Sequence, residues 1–326
     1  MSRHCLRIPI EAIDLSDETF RCSFERDVTA LRESVRLVGV LVRPRVQSLD
    51  SRYRIVSGFL RVQVCRYHSV KELDVEAVGE EIPEDVLFLE AVHENRFTRG
   101  FNWAEQACVL ERLMGRWHWS RTQLVEKAMP ALGLQPAQRL LEDYLRLATL
   151  HGELKSVMIR NGCSLANALR IAEWSVEDQT AFAPLLDRLH LGENLLKEFL
   201  GLIHEICLRD RISPAEFLQE RQAMEIIQDD LRDRPWRTNS LRSYIRKRRY
   251  PNLASMEAVF SDARSDLHLP RKISVQPSPF FEAKEITVSF RAKSPVEMRS
   301  LCKRLWEACQ SDQRVQRLFE AMDGAP

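Results

Sequence analysis

RIVSGFLRVQVCRYHS, residues 54–69, decides how the first third of the chain is read. Arg54, Ile55 and Val56 belong to a strand of β-favouring residues. Ser57 and Gly58 break the strand, and residues 59–68 return to helical spacing. A strand that passes through a glycine turn into a helix begins an α/β unit. The turn also has chemistry open to it. The first N–H groups of a helix have no partner inside the helix and attract anions. Arg61 falls in that first turn, where a guanidinium can clamp a phosphate through paired N–H groups. The other reading of one glycine and one arginine is a plain strand-to-helix turn with its arginines in water.

The flanking sequence extends the same pattern. CLRIPIEAIDL reads as a short strand and a turn. VTALRESVRLVGV sets Val28, Leu31, Val35 and Val38 at helical spacing, and Gly39 closes the helix as a C-cap. LVRPRVQS is a strand, DSR a turn and YRIVSG a second strand. LDVEAVG is another strand. PEDVLFLEAVHENRF is a helix with Pro83 at its start. From Asn102 to about Arg234 the chain is helical and amphipathic, as in NWAEQACVLERLMGRW and SPAEFLQERQAMEIIQDDL. RDRPWRTNSLRSYIRKRRYP then marks a composition shift that reads as a linker or hinge. KISVQPSPFFEAKEITVSFRAKS predicts two strands joined by a proline-containing turn, and helices follow at 295–309 and 312–322.

At 326 residues the chain is long enough for two or three domains, and 44% hydrophobic content allows sizeable cores. The formal net charge of +1 excludes a strongly basic protein, so any polyanion site is a local patch. The cysteines, Cys5, Cys22, Cys65, Cys108, Cys163, Cys207, Cys302 and Cys309, show no C-x-x-C pair. They read as reduced thiols rather than a disulfide framework or a zinc site. No apolar run approaches the length of a membrane helix, and the N-terminus is not a signal peptide. A cytoplasmic protein is expected.

The second constellation is HENRFTRGFNWAEQA, residues 93–107. Glu94 and Asn95 close a helix, and a carboxylate beside a carboxamide offers hard oxygen ligands for Mg²⁺ on phosphate. Arg96 and Arg99 add phosphate donors. The plainer reading is a polar helix end followed by an Asn102 N-cap, with Glu105 completing a capping box.

Taken in order, these segments resemble the ParB-like N-terminal domain of partition proteins. That family carries a G-(L/V)-(L/I)…P segment, then a strand with I-V-x-G-E-R-R-x-R-A, then E-N-x-x-R…N-P-x-E-x-A before a helix-turn-helix. The matching residues are Gly39-Val40-Leu41 with Pro44, Ile55-Val56-Ser57-Gly58 with Arg61, and Glu94-Asn95 followed by Asn102, Glu105 and Ala107. The resemblance covers roughly residues 6–175. The box's Glu, first Arg and final Arg are replaced by Phe59, Leu60 and Gln63, and Thr98 stands where the family has Arg. Sulfiredoxin shares the fold, but its reactive cysteine would stand at Phe59, which excludes that chemistry.

The resemblance implies a CTP and Mg²⁺ site in a dimeric clamp that closes on DNA, and a weak CTPase activity that reopens it. Ser57, Gly58, Arg61, Asn95, Arg96 and Arg99 would hold the nucleotide. Glu94 and Asn95 would sit at the metal, with Glu94 at the hydrolysis position. Thr122 to Leu132 and Pro136 to Leu147 would form the helix-turn-helix. Gln135, Gln138 and Arg139 lie near the start of its recognition helix, with Glu142 and Asp143 on the same polar region. Two packed helices without DNA contact is the alternative. The run Arg242–Arg249, with Arg246, Lys247, Arg248 and Arg249 at its end and Trp236, Tyr244 and Tyr250 around it, is the best local polyanion patch.

The expected fold is α+β. A ParB/sulfiredoxin-like α/β domain spans 1–100, a helical domain with the helix-turn-helix near 120–150 spans 101–235, and a basic linker with a small C-terminal module spans 236–326. The expected function is a DNA-binding partition-type protein, nucleoid-associated and homodimeric, with a partition ATPase as a further partner. The alternatives are an interaction scaffold or regulator without nucleotide switching, and a small-molecule phosphotransferase using Glu94.

Overall fold

The computed structural model describes residues 4–24, 26–49 and 52–322. The protein is mixed α+β, and the chain divides into two compact units, Met1–Leu196 and Lys197–Pro326.

The first unit opens with β1 (His4–Pro9), β2 (Ile13–Asp14), α1 (Thr29–Val38), β3 (Arg45–Leu49), β4 (Arg52–Ser57), α2 (Phe59–Tyr67), β5 (Glu72–Val78) and α3 (Glu84–Thr98). The strands form one sheet in the order β1-β5-β3-β4-β2. β1 with β5 and β3 with β4 pair antiparallel, whereas β3 with β5 and β2 with β4 pair parallel. Of the turn expected at 50–52, Asp50 and Ser51 lie outside the described residues.

Side chains on successive strand residues point to opposite faces. Leu73 and Val75 of β5 therefore share one core with Ile8, Ile13, Val46 and Ile55, closed by Val62 and Cys65 of α2. Burying each large apolar side chain stabilises the fold by about 1.5–3 kcal/mol. β4 is buried on both faces: Ile55 and Val56 are each fully covered, and α3 packs against the strand.

Under α3 lies a buried polar cluster that sets the helix in place. The Arg54 guanidinium donates to Gln47 Oε1 at 2.8 and 2.5 Å and to Glu84 Oε1 at 2.6 Å, and stacks 4.8 Å from the Phe20 ring centre. Burial pushes the Glu84 acid up, but hydrogen bonds from Arg54 and Trp117 and the charges of Arg54 and Arg116 outweigh it and hold the pKa below the ordinary carboxylate value. With its first turn fixed on β4, α3 carries Glu94 and Asn95 back to the β4–α2 turn.

The rest of this unit is helical, as expected. α4 (Trp103–Gly115) starts on a capping box in which the Asn102 side chain accepts from the Glu105 N–H while Glu105 accepts from the Asn102 N–H. A continuous run follows: α5 (Arg121–Gln123), a π-helical turn (Leu124–Ala128) and α6 (Met129–Ala131). Pro130 explains the widened turn. It has no N–H to donate, and its ring crowds the carbonyl four residues back. The Met129 N–H accordingly reaches Leu124 O, five residues away. α7 (Gln138–Ala148) begins two residues later than the sequence predicts. Proline disfavours a helical conformation in the residue before it, and Ala137 is an extended N-cap, so Gln135 stays in the turn. α8 (Gly152–Arg160), α9 (Leu165–Ile171) and α10 (Val176–Arg188) complete this unit.

α11 (Glu193–Asp210) leads into the second unit, with α12 (Pro214–Leu218), α13 (Arg221–Gln228), α14 (Arg234–Arg249) and α15 (Pro251–Ser265). The antiparallel hairpin β6 (Ile273–Pro277) and β7 (Ile286–Phe290) follows, with Pro279 in its connection. α16 (Pro295–Cys309) and α17 (Asp312–Glu320) pack on it through a core of Phe260, Leu267, Ile273, Val275, Leu301 and Leu318. The stretch read as a linker or hinge is α14 instead. Asp233 caps it, Pro235 sits in its first turn, and Thr238, Leu241 and Ile245 are buried along one stripe. That sparse stripe lies among arginines, so composition outweighed periodicity.

Candidate functional site

The β4–α2 turn and the end of α3 meet around one cavity of about 300 Å³. Gly58 is the N-cap of α2 in the left-handed region, with φ +94°. No side chain caps this helix start, so its first N–H groups have no side-chain cap, and Gly58, Phe59, Leu60 and Arg61 line the cavity. A Cβ at Gly58 would lie 3.1 Å from the Arg61 guanidinium and 3.1 Å from Pro44 Cα. Gly58→Ala therefore meets both a backbone penalty and displacement of Arg61. It is expected to lose about 1–2 kcal/mol of stability, read by chemical denaturation.

Arg61 crosses the cavity. Its Nη1 donates to Val42 O at 2.6 Å and to Arg43 O at 3.2 Å, and its Nη2 donates to Glu94 Oε1 at 2.7 Å. The other Glu94 oxygen accepts from Ser57 Oγ at 2.6 Å. Ser57 is 1% exposed, and the Arg61 and Glu94 side chains are about one-fifth exposed. The chain thus closes a serine–carboxylate–guanidinium relay between segments 37 residues apart.

The remaining wall comes from residues 20–23, which carry no motif in the sequence. Phe20, Cys22 and Ser23 line the cavity together with Gly58. Two clamps hang this wall on α4. Arg112 Nη1 donates to Glu18 O at 2.9 Å, Thr19 O at 3.2 Å and Arg21 O at 2.7 Å. Glu105, fully buried, accepts from the Phe24 N–H at 3.0 Å, from Arg26 at 3.1 and 2.5 Å, and from Arg99 at 2.9 and 3.0 Å. The capping residue expected from the sequence is also the hub of the pocket wall.

Asn95 and Arg99 line the cavity but are engaged with neighbours. Asn95 Oδ1 accepts from Arg99 Nε at 2.8 Å, and its amide donates to Ala91 O at 2.8 Å. Arg96 turns away, donating to Pro130 O and lying 5.2 Å from the Phe97 ring centre. Thr98 lines the cavity, and its hydroxyl bonds Glu94 O at 2.9 Å. Both Glu94 oxygens and the Asn95 oxygen already accept hydrogen bonds, from Ser57, Arg61 and Arg99, so a Mg²⁺ on these atoms would compete with the two guanidinia.

Burial pushes the Cys22 thiol up to about 12, and Cys163 likewise to about 12. Cys5, Cys302 and Cys309 are exposed. Iodoacetamide on the native protein is expected to label those three and spare Cys22 and Cys163, as read by peptide mass spectrometry. Native labelling of Cys22 would contradict the closed wall.

The residues expected to meet DNA lie at two places. On α7, Gln138 Nε2 donates to Glu142 Oε1 at 3.1 Å, and Arg121 pairs with the same carboxylate. Asp143 pairs with Arg146 at 2.5 Å, so both acids are internally neutralised. Arg139 and Gln135 are exposed. On α14, Arg248 pairs with Asp210 at 2.6 Å and Glu220 at 3.1 Å, and Arg249 pairs with Glu205 at 2.6 Å. Arg246 and Lys247 project into solvent.

No protein-family model and no curated protein matches the chain. Among solved structures it is similar to C-terminally truncated ParB of Caulobacter crescentus with CTP-gamma-S, at 22% identity over 56% of this chain and 99% of that one, TM-score 0.26. It is also similar to the same truncated protein on the centromeric parS site, at 18% identity over 60% and 97%, TM-score 0.34. A Pnob8-like ParB-N domain shares 14% identity over 76% and 98%, TM-score 0.35. Among the described residues no helix is long and apolar enough to cross a membrane.

Proposed function

We propose that the chain is a divergent ParB-like DNA-binding protein of the partition type, whose α2–α3 pocket takes the phosphates of a nucleotide, CTP by the motif resemblance. One observation carries the reading: Ser57, Gly58 and Arg61 of the glycine-arginine box stand around one cavity with Glu94 of the E-N helix. The uncapped start of α2 supplies backbone donors and a positive helix end for a phosphate. Arg61 supplies the mobile charge, moving from Glu94 to the phosphate. Phe20, Val42 and Val56 give the apolar surface against which a sugar and base can rest.

The same exchange links the pocket to the rest of the unit. A phosphate that takes Arg61 frees the carbonyls of Val42 and Arg43. The wall from residues 20–23 hangs on α4, which packs against α7. Pocket occupancy and α7 presentation to duplex DNA are therefore mechanically joined. α7 contacts the duplex through Gln138 and Arg139, with Gln135 in the preceding turn.

Without a resident metal, Glu94 repels an incoming phosphate and competes for Arg61. Glu94→Gln is expected to tighten CTP binding severalfold in metal-free buffer, read by calorimetry; weaker binding would show that Glu94 contributes to the bound state. CTP-dependent retention of a closed duplex circle by a crosslinked protein tests the clamp itself. Retention that ignores CTP would favour a DNA-binding scaffold without a switch, a reading supported by the internally paired Arg61 and Arg99.

A further inference from the structure

We infer that the exposed face of α14, with the turn that follows it, is a binding site for single-stranded nucleic acid, separate from the nucleotide pocket and from α7. Trp236, Asn239, Ser243, Arg246 and Lys247 are all exposed and recur at helical spacing along one face. Tyr250, at the helix's C-cap, shares one small concavity with Ser243, Arg246 and Lys247. The face therefore has an aromatic ring at each end, about 21 Å apart at ~1.5 Å per residue. Between the rings stand two cations and two neutral hydrogen-bonding side chains.

Which arginines are free distinguishes this face from a generic basic helix. Arg242, Arg248 and Arg249 are held by Glu198, Asp210, Glu220 and Glu205. Those pairs fasten α14 within its unit and cancel its inward charge. Among the described residues, Arg246 and Lys247 have no carboxylate in ion-pair range; Glu257 lines the same concavity beyond that range. The charge left on this face is thus net positive, two cations without an ion-pair partner against the single carboxylate of Glu257.

The rings choose between forms of nucleic acid. Trp236 and Tyr250 are 40% and 38% exposed, and Arg232 and Arg249 lie 4.9 and 4.7 Å from their ring centres. An exposed ring beside a guanidinium offers an unpaired base both stacking and a cation–π partner. A duplex keeps its base faces stacked inside and offers such rings nothing. Asn239 and Ser243 interrupt the face with polar groups, so it lacks the continuous apolar strip needed to enter a lipid interface.

The test is fluorescence anisotropy of the full chain with a labelled oligothymidylate of about 12 nucleotides, inside the ~4–16 nucleotide span of single-strand sites. Wild type is expected to bind, and Trp236→Ala with Tyr250→Ala to weaken binding at least tenfold. Arg246→Gln with Lys247→Gln is expected to lower the log–log salt slope by about 1.4, at ~0.7 per lost phosphate contact. Trp236→Phe with Tyr250→Phe should restore most of the affinity, and circular dichroism should show all variants folded. The inference is overturned by absence of oligonucleotide binding, by unchanged affinity in the aromatic double variant, or by equal loss of duplex binding in it. Binding to phosphatidylserine vesicles in place of the oligonucleotide would overturn it too. None of these outcomes depends on CTP, so failure here and failure of the nucleotide reading are distinguishable.

Discussion

Glu105→Ala is expected to destabilise the N-terminal unit by about 3–5 kcal/mol, the usual cost of breaking a buried ion pair from one side. Glu105 is 0% exposed, and it accepts from the Arg26 and Arg99 guanidinia and from the Phe24 and Asn102 N–H groups. Removing it strands Arg99, whose side chain is 19% exposed, and takes away the half of the α4 capping box that accepts from the Asn102 N–H. Arg26, at 26%, keeps more access to water and relaxes more readily. Glu105→Gln preserves volume and one acceptor but not the charge, so it should fall between alanine and wild type. Urea unfolding followed by circular dichroism measures the loss. Limited proteolysis gives a local readout, because residues 20–24 lose one of their two clamps and should be cut first. A loss below about 1 kcal/mol, with unchanged cleavage, would show that the Arg112 clamp alone holds the wall.

Arg61→Ala is the second large effect, and it acts on binding more than on folding. Its guanidinium makes charge-assisted hydrogen bonds to Glu94 and to the carbonyls of Val42 and Arg43. Each bond of that class contributes roughly 1.5–3 kcal/mol when its partner is charged. A phosphate that inherits the Glu94 bond therefore loses about ten- to hundredfold affinity when Arg61 is gone, at ~1.4 kcal/mol per tenfold. Arg61→Lys keeps the charge but not the planar fork that grips a phosphate through paired N–H groups, so only partial rescue is expected. Equal CTP affinity in wild type and Arg61→Ala would place the phosphates elsewhere.

How much of this was legible depends on whether the signal was local. The β4–α2 junction could be read because period-two and period-3.6 patterns meet at Ser57–Gly58, and Glu94–Asn95 because it ends an amphipathic helix. The Asn102–Glu105 capping box joins residues three apart and was visible for the same reason. The second role of Glu105 was not, since Arg26 arrives from 79 residues away. Nor was the pocket wall at Phe20 and Cys22, which is placed by Arg112 across 91 residues or more. Arg96 and Arg99 looked equivalent as phosphate donors in sequence. α3 turns one toward α6 and commits the other to Glu105. The α14 arginines looked like a uniform basic run until Glu198, Asp210, Glu220 and Glu205 divided them into held and free.

Calorimetric titration of CTP into the full chain, alongside the Arg61→Ala variant and with ATP and GTP as controls, bears most directly on the proposed function. Saturable CTP binding that Arg61→Ala weakens at least tenfold, with circular dichroism showing the variant folded, is the predicted result. Absence of CTP binding to the wild-type chain, or binding indifferent to Arg61, would contradict it.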